Sequence, residues 1–230
     1  LLRLQSLLRE GNWKVTVAVW MGREIIEIMA GGVDKAYGLA VDIGTTTIAG
    51  YLCNLTSGEV IATESMMNPQ VIFGEDVMSR ITYAVTHPDG LEELHRSIIG
   101  GLNQLIHAVT ERCSLSPDQI LELVMVGNTA MHHLFLQIYP EFLGISPFPT
   151  AIHRSIDVKA RELGLKAHPS ANVHVLPIEA GFVGADNVGV LIAEEPYHQD
   201  EMVLIIDIGT NGELVMGNRK KLISASCATG

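Results

Sequence analysis

Two short runs carry the residue types that phosphate chemistry needs: Asp42-Ile43-Gly44-Thr45-Thr46-Thr47 and Asp207-Ile208-Gly209-Thr210-Asn211-Gly212. Each follows an apolar stretch that reads as a strand. The aspartate is therefore delivered to the strand's carboxyl end, where open sheets bind ligands. Gly44 and Gly209 present no side chain, so a phosphate can approach the backbone and the chain can turn sharply. The N–H groups that follow form an anion nest, and Thr45, Thr46, Thr47 and Thr210 add hydroxyl donors. Asp42 and Asp207 would repel a phosphate, so their expected role is to hold Mg²⁺ through waters the ion retains. Phosphoryl chemistry asks mostly for such positioning and charge neutralisation. A single run of this kind is as readily a plain turn, because Asp and Gly are common turn residues. Two runs in the same setting point to function. Neither a Walker-type phosphate loop nor a GxGxxG dinucleotide fingerprint is present.

The elements that must position these runs form a repeat. Residues 39–61 and 204–223 both read strand, turn, strand, turn, strand. In the first copy, strands at 39–43, 47–54 and 59–65 make a meander. Helical patterns follow over 75–85 and 91–112, then a strand at 122–126 that reaches Gly127-Asn128-Thr129, and a helix at 130–138. Residues 144–170 read as an irregular insertion, 173–176 as a strand and 181–195 as a small-residue helix. The second copy offers strands at 202–206, 213–217 and 221–225. Ahead of both lie an amphipathic helix at 1–9 and a hairpin at 14–20 and 24–29. The expected division is 1–37 as the end of a linker or middle domain, 38–197 as a first domain, and 198–230 as the start of a second, truncated one.

Composition bounds the function. With 230 residues, 47% hydrophobic and only 18% charged, the chain can bury a real core. Its formal charge of −11 and lack of a basic stripe argue against a nucleic-acid partner. A single nucleotide can still bind through backbone N–H groups and a metal ion. The longest apolar stretches have strand length, short of the roughly 20 residues a membrane span needs, so no membrane association is expected. Cys53, Cys113 and Cys227 are widely spaced and show no disulfide, zinc or cluster pattern. A reduced, cytoplasmic protein is the simplest expectation.

The two loops resemble the phosphate-1 and phosphate-2 motifs of the superfamily of acetate and sugar kinases, heat-shock chaperone ATPases and actin. Within it, the chain is similar to the reductive activators of corrinoid proteins. The resemblance rests on GLAVDIGTTT (38–47), NPQVIFGEDVMSRI (68–81), VGNTAMHHLF (126–135), SPFPT (146–150), AGFVGADNVGVLIA (180–193), LIIDIGTNGELVMG (204–217) and SASCATG (224–230). It implies an α/β, ribonuclease H-like (actin-like ATPase) fold, with duplicated domains of mixed sheets flanked by helices that clamp ATP. It further implies an ATPase that couples ATP to one-electron reduction of a Co(II) corrinoid protein. The electron would come from a [2Fe–2S] cluster in a domain absent from this chain. The implied partner is a corrinoid protein, and a homodimer is among the assemblies it allows.

Several residues have two readings. Glu213, directly after Asn211-Gly212, suits a catalytic base or equally a phosphate-side or metal-shell group. Gly127-Asn128-Thr129 suits phosphate or hinge contact, or an ordinary N-cap by Asn128. Asp76 and Arg80 are spaced as an i,i+4 pair, although Gly74 nearby would also bring Glu75 or Asp76 to the cleft. His132 and His133 diverge by about 100° on a helix and are expected to pack or face solvent rather than hold a metal. Cys227 reads as a small buried residue. Gly181 and Gly184 would allow two domains to pack closely, with Asp186 as a helix cap. Two rival functions remain: a small-molecule kinase of the same fold, and a nucleotide-gated, chaperone-like switch.

Overall fold

The computed structural model describes residues 3–209 and 211–228. A mixed sheet of six strands forms its centre, in the order β5-β4-β3-β6-β8-β7. The meander supplies β3 (Tyr37–Ile43), β4 (Thr47–Asn54) and β5 (Glu59–Met67), all antiparallel. β6 (Ile120–Gly127) joins β3 in parallel, and β8 (Asn172–Val175) joins β6 in parallel. β7 (Ile156–Lys159) closes that edge antiparallel to β8. This strand falls inside the segment expected to be irregular, because four residues are too few for alternation to show.

Alternation along β3 puts Leu39, Val41 and Ile43 on one face, each at most 2% exposed. The long helix α3 (Gly90–Arg112) covers that face. Its Leu94, Ile98, Leu102, Leu105 and Val109 recur every three or four residues and are all buried. Leu105 fills the space left by the missing side chain of Gly50 in β4. Replacing such a side chain by alanine costs about 2–5 kcal/mol. α2 (Val77–Thr86) and α4 (Thr129–Phe135) pack against α3. α4 stops at Leu136, followed by Gln137 at φ 57°, so the helix is shorter than its apolar pattern suggested.

The opposite face carries Asp42 and Val126, which pair across β3 and β6. α5 (Ala185–Glu194) lies there, with Gly189 against Val126. The helix begins four residues later than expected. Residues 180 and 183 form a bridge instead, and Gly184 is pressed against the backbone of Gly127 and Asn128. The close packing anticipated for Gly181 and Gly184 is thus local: a side chain at Gly181 would strike the Phe148 carbonyl oxygen.

Two smaller units complete the chain. α1 (Leu4–Glu10) and the hairpin of β1 (Val15–Trp20) and β2 (Glu24–Ala30) dock on the sheet domain. Trp20 Nε1 donates to Glu122 (3.2 Å), Lys159 pairs with Glu24 (2.6 Å), and His168 pairs with Glu27. β9 (Val203–Ile208), β10 (Asn211–Asn218) and β11 (Lys221–Ala228) form a separate antiparallel sheet in the order β11-β10-β9. Its connectivity repeats that of β3, β4 and β5. Among the described residues, no helix is long and apolar enough to cross a membrane.

Candidate functional site

Register brings the loops to one place. Asp42 pairs with Val126 and Ile43 with Gly127, so the first DIGT loop and the Gly127–Asn128 turn leave the sheet side by side at its carboxyl edge. The loop after β9 faces them across a cleft of about 290 Å³. Asp42, Gly44, Thr45, Thr46, Thr47 and Asn128 line it from one side, with Asp186 beside them; Asp207, Gly209, Asn211 and Glu213 line it from the other. Gly127 stands behind the cleft, tight against the Ile43 carbonyl oxygen. Gly212 is buried in the β-ladder between Ile208 and Cys227. Thr210 lies outside the described residues.

The cleft is acidic. The Asp42 carboxylate is open to water but hemmed in by the walls. Burial, then the charges of Asp186 and Asp207, push it up to about 6. Asp186 is also raised, chiefly by burial and further by Asp207, against the pull of the Asn187 N–H. Glu213 is raised by burial and by Asp186 and Asp207. Mutual repulsion among these groups is what a divalent cation relieves. Among the described residues, no three His, Cys, Asp or Glu groups converge closely enough to hold a metal directly. The donor set therefore fits a hydrated, oxygen-preferring ion held at a distance, such as Mg²⁺, better than a dehydrated one.

Behind the first loop stand Asn68, which has no role in the sequence reading, Arg80, which that reading pairs with Asp76, and Asn128, which it places at phosphate or as an N-cap. Asn68 Nδ2 donates to the Gly44 carbonyl oxygen (2.8 Å), and the Asn68 backbone N–H donates to that of Thr46 (2.8 Å). Arg80 Nη2 donates to the Thr45 carbonyl oxygen (2.6 Å). Asn128 Nδ2 reaches Thr45 Oγ1 (2.9 Å) while its Oδ1 accepts the Met131 N–H, so Asn128 both caps α4 and fixes the loop.

Asp76 and Arg80 do not pair with each other. Asp76 caps α2 through the Ser79 N–H (2.7 Å), and the Ser79 hydrogen bonds lower its pKa. Arg80 turns inward and is fully buried. The available signal was its place on the buried stripe of α2, beside Ile81 and one turn from Ala84. Asp186 does not cap α5 either; Gly184 occupies that position and no side chain caps it. Glu75 does not line the cleft.

His132 and His133 are both buried. Burial, then the neighbouring His133, pushes His132 down to about 3, and neither of its ring nitrogens has a partner among the described residues. His133 is lowered by burial and bridges the Thr129 carbonyl oxygen and the Ala151 N–H. Cys227 is exposed rather than buried; it lies on β11, at the edge of the three-stranded sheet, where its Sγ donates to the Gly212 carbonyl oxygen (3.3 Å).

Comparison with known proteins supplies a context for this cleft. The pattern described as the RACo middle region matches residues 37–199. The RACo linker region matches 1–35, and the C-terminal domain of RACo, the ASKHA domain, matches 201–230. The corrinoid activation enzyme RamQ of Eubacterium limosum is 39% identical over 222 residues, which cover 96% of this chain and 37% of that protein. The Co(II) methylated amine-specific corrinoid protein reductase of Methanosarcina barkeri is 25% identical over 203 residues, covering 84% of this chain and 36% of that protein. A solved reductive activator for corrinoid, iron–sulfur protein superposes with a TM-score of 0.91 at 36% identity, over 99% of this chain and 37% of that one. The chain thus spans a little over a third of the length of these relatives.

Proposed function

This chain belongs to the RACo family, and on that ground we propose that it is the nucleotide-binding portion of a reductive activator, which couples ATP to one-electron reduction of a Co(II) corrinoid protein. The observation that carries the reading is the convergence of both DIGT loops on one acidic cleft, in a chain 39% identical to a corrinoid activation enzyme. Residues 1–37, 38–197 and 198–230 then act as linker, first nucleotide-binding domain and start of the second.

In this reading the N–H groups of Thr45, Thr46 and Thr47 bind phosphate oxygens from one side, and the loop at Gly209–Asn211 binds them from the other. Gly44 and Gly209 let the phosphates approach the backbone. Asp42 and Asp207 would hold a Mg²⁺ ion through its waters, and the ion would supply charge neutralisation. Asp186 and Glu213 hold those waters or a proton at the cleft's edge. A phosphate chain bridging the two loops draws the second sheet toward the first, so nucleotide state becomes domain geometry. The electron itself would come from a [2Fe–2S] cluster elsewhere in the full-length protein.

The test is ATP-dependent reduction of a purified Co(II) corrinoid protein by the full-length protein, followed by the cobalt absorption spectrum. Reduction that proceeds equally without ATP, or phosphorylation of a small sugar or acid in its place, would overturn the reading.

A further inference from the structure

Arg80 is a buried cation with no direct ion pair among the described residues, though the charge of Asp76 one turn away acts on it. Its guanidinium is 0% exposed. Its neighbours are neutral: the carbonyl oxygen of Gly74 accepts from Nε (2.9 Å) and that of Thr45 from Nη2 (2.6 Å). Met131 Sδ lies 3.2 Å from Nη1, and Gln70 Oε1 lies 3.5 Å from it. Asp76, one turn away, gives its carboxylate to Ser79. Burial lowers the guanidinium to about 10 against the opposing charge of Asp76, which leaves it charged at neutral pH. A charge buried in this way is costly unless something compensates it.

What it touches indicates the compensation. Three successive carbonyl oxygens of the first loop are all tied inward: Gly44 to Asn68 Nδ2, Thr45 to Arg80 Nη2 and Thr46 to the Asn68 N–H. In a trans peptide the C=O and the following N–H point in opposite directions. Tying back these carbonyls therefore turns the N–H groups of Thr45, Thr46 and Thr47 the other way, and these three residues line the cleft. The Thr45–Thr46 peptide is held by a charged donor, so its N–H is polarised toward the cleft and the field of the cation acts across a single peptide unit.

We propose that Arg80 is a positioning residue for the phosphate chain of the nucleotide: with Asn68 it presets the first loop as an anion nest, and its charge, which lacks a direct ion pair, is balanced by the bound phosphates. The proposal rests on ATP binding in this cleft. The loop is organised before ligand arrives, so its contribution falls on phosphate rather than on the nucleoside.

The experiment uses the full-length protein with Mg²⁺ and compares wild type, Arg80→Lys and Arg80→Met for binding of ATP, inorganic tripolyphosphate and adenosine, with thermal midpoints alongside. Arg80→Met is expected to weaken ATP and tripolyphosphate about tenfold or more, the loss typical of a charge-assisted hydrogen bond, and to leave adenosine within about twofold. Arg80→Lys keeps the charge but cannot span both the Gly74 and Thr45 carbonyls, so its loss is intermediate. Should Arg80→Met fail to fold, the ATP-to-adenosine ratio is read from Arg80→Lys, where the loss falls on ATP and tripolyphosphate but is smaller. A folded variant that weakens all three ligands equally, or none, overturns the role of Arg80 alone. Wild-type protein that binds no ATP overturns the proposed function as well.

Discussion

The two DIGT units are near copies in sequence and differ in what surrounds them. Leu39, Val41 and Ile43 of the first unit correspond to Leu204, Ile206 and Ile208 of the second, in the same places around the aspartate. The first three are at most 2% exposed; the second three are 57%, 56% and 81% exposed. α3 covers the first set, whereas no described element covers the second. The loops differ likewise. Asn68, Arg80 and Asn128 hold the first from behind, while at the second the Gly209 N–H donates to the Asn211 carbonyl oxygen across the turn itself (2.9 Å). Among the described residues, the first loop is thus braced by side chains from other segments, and the second shows a hydrogen bond across its own turn.

The largest test asks whether the two unequal units are halves of one site. Asp42→Ala and Asp207→Ala in the full-length protein are each expected to lower ATP-dependent corrinoid reduction by at least about a hundredfold. If either variant keeps full activity, the comparison breaks, because one loop then works alone.

The difference in support predicts unequal tolerance of a methyl group. A Cβ on Gly44 would sit 2.5 Å from the Thr47 carbonyl oxygen, whereas among the described residues one on Gly209 meets the Asn211 carbonyl oxygen at 3.6 Å. Gly44→Ala should therefore cost about 2 kcal/mol of unfolding free energy and Gly209→Ala within about 0.5. Equal costs in denaturant titration would show that the two loops are equally constrained.

pH sharpens the electrostatic side. Asp42 keeps its proton up to about pH 6 when folded, against an ordinary value near ~3.9. A raised carboxyl stabilises the fold most below pH ~4, and this contribution is lost as the pH rises through 6. Mg²⁺ needs the ionised form, so affinity for Mg-nucleotide should rise through the same window. Asp186→Asn removes a neighbouring charge and should move that midpoint down. An unmoved midpoint in a Mg²⁺ titration would separate Asp186 from the site.

The smallest effect concerns Asp76. Asp76→Ala loses the α2 cap and should cost about 1 kcal/mol with ATP affinity unchanged. A change in affinity would tie Asp76 to the loop that Arg80 holds.

Much of this protein was legible in its residues. Strand–DIGT–strand is a local pattern: the aspartate's position at the strand end and the turn after it depend on neighbours within ten residues. The duplication, the meander and the stripe of α3 could be read for the same reason, and so could the resemblance to corrinoid activators. Four-residue β7 could not, because its pairing with β8 is stated nowhere in its own sequence. Arg80 was matched with Asp76 because spacing records only which residues share a helix face, not whether that face turns inward. Asp186 read as a cap because its charge lies near a helix start; only the packing of Gly184 on the Gly127–Asn128 backbone brings it to the cleft. The sequence by itself determined the two strand–DIGT–strand runs on which the proposed phosphate binding rests, since each sits in contiguous residues. The tertiary structure alone decided which carboxylates share a cleft and which loop is braced. Burial and long-range hydrogen bonds arise between segments far apart in the chain, such as Thr45 and Asn128, 83 positions apart, and no local pattern encodes them.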